Sequence, residues 1–175
     1  MTAGATATVH ATAVLVGDRA VLIRGPSGSG KSRLAFDLIL AGRTGQIPPA
    51  VLIGDDRVHL ATSGGNLIVR PAPELAGLIE IRGLGIRRID HADEGKVGLV
   101  VDLAAEDAER LPPPKALSTA VSGVMIPRIP VGTGYEPLLL IVAALTTTFD
   151  AGFEQPSDDC RKGIGNHISP TIATE

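Results

Sequence analysis

The sequence predicts an α/β fold built on a mixed, hairpin-rich sheet. Short β-rich runs are joined by glycine-containing turns, and only about two long helical stretches interrupt them. A doubly wound nucleotide-binding fold would instead alternate strands and helices and produce a parallel sheet. We therefore expect a sheet with strong antiparallel character.

Composition fits one globular domain. The chain has 175 residues, of which 44% are hydrophobic and 20% charged, enough for a real core. The net charge is −3 and aromatic residues make up only 2%, which together argue against a nucleic-acid partner. Cys160 is the single cysteine, so an internal disulfide is excluded and a reducing, cytoplasmic setting is favoured.

Neither a leader nor a membrane span is predicted. The first ten residues lack a basic region followed by a long apolar run, so we expect no signal peptide. The longest apolar run, 138–145, is far shorter than the roughly 20 residues that cross a bilayer. We expect it to form a buried helix, and we expect no membrane partner.

The first elements form a hairpin that leads into a glycine loop. Strands are predicted over 9–16 and 20–24, with a turn at 17–19. A helix should begin inside the loop and stop near Gly42, because Leu34 and Leu38 give it an apolar face.

Further strands are expected in the middle of the chain. The first covers 50–56 and ends in two acids, and the next two, 57–62 and 67–70, flank a turn. A further strand over 77–89 runs into a glycine-containing loop, and the last covers 96–103.

In the last part of the chain, prolines indicate where the predicted elements begin and end. Residues 104–114 favour a short helix closed by the proline run, and the proline-interrupted stretch 121–132 suits an edge strand. The last helix should cover 136–147, with Pro137 in its first turn. We expect a domain over 1–148 followed by a loosely held polar tail, 149–175.

The glycine loop has the pattern G-x-x-x-x-G-K-S between a strand and a helix. Such a loop directs backbone N–H groups at phosphate oxygens, and the helix N-terminus adds positive potential. Lys31 would reach the β- and γ-phosphates, and the Ser32 hydroxyl would bind Mg²⁺. A chance glycine-rich turn is the alternative. The predicted nucleotide-binding residues are Gly25, Pro26, Ser27, Gly28, Ser29, Gly30, Lys31 and Ser32.

Acids after a strand could serve phosphoryl transfer. Asp55 and Asp56 could hold Mg²⁺ through water or take a proton from a hydroxyl nucleophile, whereas a plain acidic turn is the alternative. Glu80 lies beside Arg82 before two glycines, where a surface ion pair is the alternative. His10 could equally be a structural strand residue, and Arg110 could lie on a solvated helix face.

These pieces together resemble one family. The chain is similar to the C-terminal catalytic domain of HPr kinase/phosphorylase over about residues 9–148. The resemblance is carried by His10 upstream of the loop "GPSGSGKS", then by "GDD" at 54–56, "EIRGLGI" at 80–86, "ERL" at 109–111 and "IPVGTGYEPLLLIVAAL" at 129–145.

The resemblance implies a P-loop variant related to phosphoenolpyruvate carboxykinase. It implies ATP- and Mg²⁺-dependent phosphorylation of a seryl residue on HPr, the phosphocarrier protein of a bacterial sugar-transport phosphorelay, by a homo-oligomer, in the family a hexamer. Asp56 matches the catalytic acid or base, Ser32 matches a metal ligand, and His10, Lys31 and Arg110 match other catalytic residues. Glu80, the second metal ligand, opens the signature segment Glu80, Ile81, Arg82, Gly83, Leu84, Gly85 and Ile86.

The departures from the family are also informative. We expect a short form without the family's N-terminal domain. Residues 130–135 read "PVGTGY" and lack an arginine that the family ties to attack by inorganic phosphate, which puts the reverse, phosphorylase reaction in doubt. Two alternatives stay open. A small-molecule phosphotransferase should carry an arginine-rich lid, which is not seen, and an ATP sensor should lack Asp56, Lys31 or Glu80, which are present.

Overall fold

The computed structural model describes residues 7–148. The predicted tail, 149–175, lies outside them, and the domain boundary at 148 stays a prediction. Two α-helices are described, α1 (Lys31–Arg43) and α2 (Pro137–Thr146), with short 3₁₀ turns at Pro73–Leu75 and Pro114–Leu117. The strands are β1 (Ala7–Val9), β2 (Thr12–Val16), β3 (Arg19–Arg24), β4 (Ala50–Gly54), β5 (Val58–Ser63), β6 (Asn66–Pro71), β7 (Leu78–Ile81), β8 (Gly85–Arg88), β9 (Gly95–Leu103), β10 (Ser118–Val121) and β11 (Val124–Val131).

Nine of these strands form one mixed sheet. Its order is β1-β5-β6-β9-β3-β2-β4, with β11 joined to β9 and β10 joined to β11. Only β3–β9 and β9–β11 are parallel, and the other pairs are antiparallel. The predicted α/β fold with a mixed, hairpin-rich sheet is confirmed.

The sheet is buried on both faces near the glycine loop. Alternate residues of β3 enter different cores, with Val21 and Ile23 in one and Leu22 in the other. The first core contains α1, Ile141 of α2 and Ile79 of β7, whereas the second is closed by β5 and β6 of the same sheet. The strand that leads into the loop is therefore held firmly from both sides.

Several predicted elements differ from those observed. The strand expected over 9–16 is broken at His10, which leaves β1 and β2 as separate strands. The strand expected over 77–89 is a hairpin of its own, β7–β8, because residues 82–84 turn back where Leu84 N–H donates to the Ile81 carbonyl at 2.9 Å.

The helix expected over 104–114 is wrong. Ala104 takes a left-handed φ of 55°, and Pro112 disfavours a helical residue before it, which limits a helix to residues 105–110, and the structure has only turns and irregular backbone there. The strand β11 is extended and has an edge position, as expected, because each of its residues pairs with one strand only among the described elements: residues 124–127 pair with β10 and residues 128–131 pair with β9.

Helix α2 has the predicted position, but it is not a buried helix. Ile141 is its one buried residue, while Leu139 is 65% exposed. Within the described residues, neither helix has the length and continuous apolar character that crossing a bilayer requires.

Candidate active site

The glycine loop joins β3 directly to α1. A Cβ at Gly25 would lie 2.7 Å from the Ser29 hydroxyl oxygen and 3.0 Å from the Leu103 carbonyl oxygen, so this position has no room for a side chain. Gly30 takes a left-handed φ of 97° at the N-cap of α1. Residues 26–28 are exposed, and an exposed loop that runs into a helix N-terminus matches the predicted phosphate cradle.

The Lys31 ammonium group lies inside this loop. Its Nζ donates to the carbonyl oxygens of Gly25 and Pro26, each at 3.0 Å. An ammonium has three donors, so the geometry leaves one for a phosphate oxygen. Burial lowers the pKa of Lys31, and the nearby carboxylates of Asp55 and Asp56 partly oppose this effect. The residue is thus a desolvated cation placed where phosphates would bind.

Asp55 is a buried junction between four elements. Its Oδ1 accepts hydrogen bonds from the hydroxyls of Thr12 at 2.7 Å and Ser32 at 2.9 Å, and its Oδ2 accepts from the Glu80 backbone N–H at 3.1 Å. Asp55 and Thr12 are both buried. The carboxylate therefore fixes the two predicted metal ligands, Ser32 and Glu80, relative to each other.

Asp56, the next residue, is exposed where Asp55 is buried. It takes a left-handed φ of 65°, a conformation that Asp tolerates better than most residues, and its side chain is 65% exposed. The His10 Nε2 atom lies 3.3 Å from its Oδ1. His10 lies at the break between β1 and β2, so it is not an ordinary strand histidine. The structure therefore brings these two predicted catalytic residues together.

A single cleft collects most of the predicted site. It has a volume of about 590 Å³ and is lined by loop residues 27–32 together with His10, Asp56 and Glu80. Ile81 and Arg82 complete one wall, while Arg33, Phe36 and Asp37 of α1 form another. A phosphate group on the loop and a hydroxyl beside Asp56 would share one space.

Three parts of the prediction do not line the cleft, the first of them being Gly25 and Pro26 at the start of the loop. Arg110 is exposed in the irregular segment after β9 and does not line the cleft, so its catalytic role stays a prediction. Of the signature segment, 80–82 border the cleft, whereas Leu84 and Ile86 are 70% and 64% exposed on the β7–β8 hairpin.

Sequence reasoning missed Thr12 and Asp37. Thr12 has the sequence context of an ordinary β-strand residue, and no sequence signal marks its hydroxyl as a partner of Asp55.

Asp37 lies one turn along α1 from Arg33, with 3.7 Å between its Oδ2 and the Arg33 Nε. Burial raises the pKa of Asp37, Arg33 opposes this shift, and Glu136 adds to it. The i, i+4 spacing of Arg33 and Asp37 could have indicated this pair.

The donor atoms around the loop fit a magnesium ion. The Ser32 hydroxyl and the Glu80 carboxylate line the same cleft and offer hard oxygen ligands. Among the described residues, no cluster of three or more His, Cys, Asp or Glu side chains could hold a metal alone. Mg²⁺ usually keeps several waters and binds through one or two carboxylates plus substrate phosphates, so such a cluster is not required.

Comparisons with known proteins agree with this architecture. Residues 2–151 match the family model described as HPr Serine kinase C-terminal domain. HPr kinase/phosphorylase of Streptococcus pneumoniae is 37% identical over 150 residues, which cover 78% of this chain and 46% of the relative. The relative of that name from Mycoplasma mycoides subsp. mycoides is 40% identical over 105 residues, which cover 56% of this chain and 31% of the relative.

A solved structure also resembles the chain. It is the Hpr(Ser) kinase/phosphatase from Coxiella burnetii, which is 26% identical with a TM-score of 0.64 over 78% of this chain and 92% of that one. The chain itself spans a third to a half of the length of the curated relatives it matches. Because the family model covers most of the chain, this chain belongs to the HPr serine kinase C-terminal domain family.

Proposed function

We propose that this chain transfers the γ-phosphoryl group of ATP to a seryl hydroxyl of an HPr-type phosphocarrier protein. The observation that carries the proposal is the cleft in which Asp56, beside His10, shares one space with Lys31 and the glycine loop. The names of the relatives support the choice of acceptor. A cytoplasmic location agrees with such a partner and with the single cysteine.

Each cleft residue has a separate role in an in-line phosphoryl transfer. The loop N–H groups and Lys31 hold the phosphates, and Asp56 accepts the proton of the seryl hydroxyl. The seryl oxygen forms a bond to the γ-phosphorus while the bond to the bridging oxygen of ADP breaks. His10, 3.3 Å from Asp56, orients that carboxylate. Mg²⁺, when held by Ser32 and Glu80, supplies positive charge to the phosphate oxygens.

The reverse reaction is proposed to be weak. It requires inorganic phosphate to be captured beside phosphoserine, and residues 129–136 contain no Lys or Arg. Arg128, the cation just before them, is engaged by Asp102 and Asp107. Efficient phosphate-dependent dephosphorylation of seryl-phosphorylated HPr would contradict this part of the proposal.

The proposal is tested by mixing the purified chain with ATP, Mg²⁺ and HPr. We expect phosphoserine on HPr, with the modified residue mapped by mass spectrometry. ATP binding without transfer to HPr would favour the sensor alternative, and transfer to a small hydroxyl compound instead would favour a small-molecule phosphotransferase.

We also propose that the chain self-associates. Helix α2 is apolar along most of its length, yet Leu139 and Leu145 are 65% and 40% exposed in the single chain. Exposed apolar side chains on one helix are typical of an interface. Sedimentation velocity should give a homo-oligomer, and the resemblance to the family suggests a hexamer. A chain that stays monomeric at micromolar concentration would contradict this.

A further inference from the structure

The β7–β8 hairpin is separate from the main sheet and lies at the edge of the cleft. Among the described strands, β7 and β8 pair only with each other. The base of the hairpin is anchored, because Ile79 is buried in the first core and the Glu80 N–H donates to the Asp55 carboxylate at 3.1 Å. Every residue from 82 to 88 is exposed. The hairpin therefore belongs to the site at its base and faces solvent at its tip.

The exposed part of the hairpin carries two large apolar side chains. Leu84 and Ile86 are 70% and 64% exposed. Ile86 is the cross-strand partner of Glu80, which lines the cleft, so these two side chains lie on the same face of the hairpin. The next pair on that face is Leu78 with Arg88. The apolar surface is thus continuous with the wall of the cleft, and exposed apolar side chains in such a place are typical of an interaction site.

The charge on the hairpin is positive, although the chain as a whole is negative. Residues 80–88 contain Arg82, Arg87 and Arg88 against a single acid, in a chain with a net charge of −3. In the part of the chain that the structure describes, none of the three is in an ion pair, whereas Arg128 has two carboxylate partners. Such guanidinium groups can bind carboxylates of another molecule in a bidentate way.

The size of the cleft requires a protein acceptor to contact the rim around it. A volume of about 590 Å³ is that of a small-molecule pocket, and specific protein contacts bury about 800 Å² on each partner. Only the seryl side chain of a protein would enter, and the surface around that serine would lie on the rim. The hairpin forms the rim beside the proposed base Asp56, because the preceding residue, Asp55, is bound to the Glu80 N–H.

We propose that the exposed part of the β7–β8 hairpin is the docking surface for the acceptor protein. Leu84 and Ile86 pack against apolar side chains beside the acceptor serine, and Arg87 and Arg88 bind carboxylates around them. This inference rests on the proposed transfer to an HPr-type protein, whose surface next to the serine is the occupant. The alternative is that the arginines only protect an exposed strand edge from aggregation. In that case recognition of the acceptor would not depend on them.

Reversal of the two charges tests the electrostatic part. In the full chain, Arg87→Glu combined with Arg88→Glu should raise the KM for HPr at least about tenfold and change kcat by less than about twofold. The KM for ATP should stay the same, because neither residue lines the cleft. Raising the salt concentration from about 0.05 to 0.5 M should narrow the difference from wild type, since salt screens exposed charges.

Arg43→Glu is the matched control for the charge reversal. Arg43 is also exposed, and it lies at the other end of α1, about 18 Å along the helix from Lys31. The control should leave the KM for HPr unchanged. A KM for HPr that was the same in the double charge reversal as in wild type would overturn the inference.

Ile86→Ser tests the apolar part by binding alone. The affinity for labelled HPr is measured by fluorescence anisotropy, with the chain loaded with a non-hydrolysable ATP analogue and Mg²⁺. The substitution should weaken binding roughly fivefold or more, because it removes an apolar side chain from the contact. Met125→Ser is the control, since Met125 is equally exposed at 64% but lies on β11 and outside the cleft. Equal affinities of the two serine variants would also overturn the inference.

The same measurements separate this inference from the proposed function. If the wild-type chain phosphorylates HPr and the hairpin variants do so with unchanged KM, this inference alone is wrong. A wild-type chain that neither binds nor phosphorylates HPr contradicts the proposed function and, with it, the choice of occupant. Sedimentation velocity distinguishes a second copy of the chain as occupant. A hairpin variant that changed the oligomer size but bound HPr normally would show that the hairpin contacts another copy, which overturns the inference.

Discussion

Asp55 and Asp56 are neighbours in sequence, yet their carboxylates lie in opposite environments. Asp55 is buried and accepts three hydrogen bonds, whereas Asp56 is 65% exposed beside His10. A carboxylate with all its partners in the protein is suited to holding structure, and one that faces the cleft is suited to proton transfer. The backbone at Asp56 is left-handed, with a φ of 65°, so the chain changes direction between the two carboxylates.

Asp56→Asn should abolish most transfer and leave nucleotide binding intact. The amide keeps the shape of the side chain but cannot accept the seryl proton, and loss of a general base costs about 100- to 10,000-fold in rate. Single-turnover transfer to HPr and ATP titration measure the two effects. Asp18→Asn, at a side chain 92% exposed in the β2–β3 turn, is the control. A normal rate in Asp56→Asn would show that another group is the base.

Lys31→Ala should weaken ATP binding as well as transfer. The substitution removes a charge-assisted contact to phosphate, worth about 1.5–3 kcal/mol, which corresponds to a loss of roughly tenfold or more in affinity. Isothermal titration with ATP and Mg²⁺ measures it, and Lys115→Ala, at an exposed lysine, is the control. Unchanged affinity would mean that Lys31 stays bound to the loop carbonyls and does not reach the nucleotide.

At the scale of elements, the sequence predicts those helices, strands and turns whose conformation depends on residues close to them in the chain. The β2–β3 hairpin, the glycine loop and α1 are adjacent in the chain, and all were predictable from turn residues and apolar periodicity. The segment 104–114 was not, because its conformation depends on Pro112 and on the distant Arg128. The Thr12–Asp55 contact joins residues 43 positions apart, so no local pattern indicates it.

Thr12→Val tests the junction that joins β2, β4, α1 and β7. Valine fills the same volume but cannot donate to the buried Asp55 carboxylate, so the free energy of unfolding should fall by about 1.5–3 kcal/mol. Urea denaturation measures the change. Thr12→Ser keeps the hydroxyl and should lose less. If the valine variant were as stable as wild type, Ser32 and the Glu80 N–H would suffice to hold Asp55.

At the scale of the whole molecule, the parallel strands β3, β9 and β11 are joined by charged side chains, which lie at the carboxyl ends of β3 and β9 and in the middle of β11. Burial would raise the pKa of Asp102, but hydrogen bonds from Arg24 and Arg128 outweigh that effect, so the pKa lies below its ordinary value. The hydrogen bond from Arg128 likewise lowers the pKa of Asp107. These carboxylates are therefore ionised at neutral pH, and their pairs with arginine should fail in acid.

Asp102→Asn should make the chain less stable at neutral pH and about equally stable in acid. An aspartate has a pKa near 3.9 when unfolded, so between that value and the lower folded pKa the unfolded chain binds more protons. The stabilisation by Asp102 is present above about pH 4 and is lost as the pH falls through the folded pKa. At pH 7 the variant should lose about 2 kcal/mol, because asparagine cannot replace a carboxylate between two guanidinium groups. Unfolding by urea at several pH values measures the gap, and Asp18→Asn should show none. A gap that persisted in acid would mean that the Asp102→Asn substitution disturbs packing and that the ionised pair contributes little.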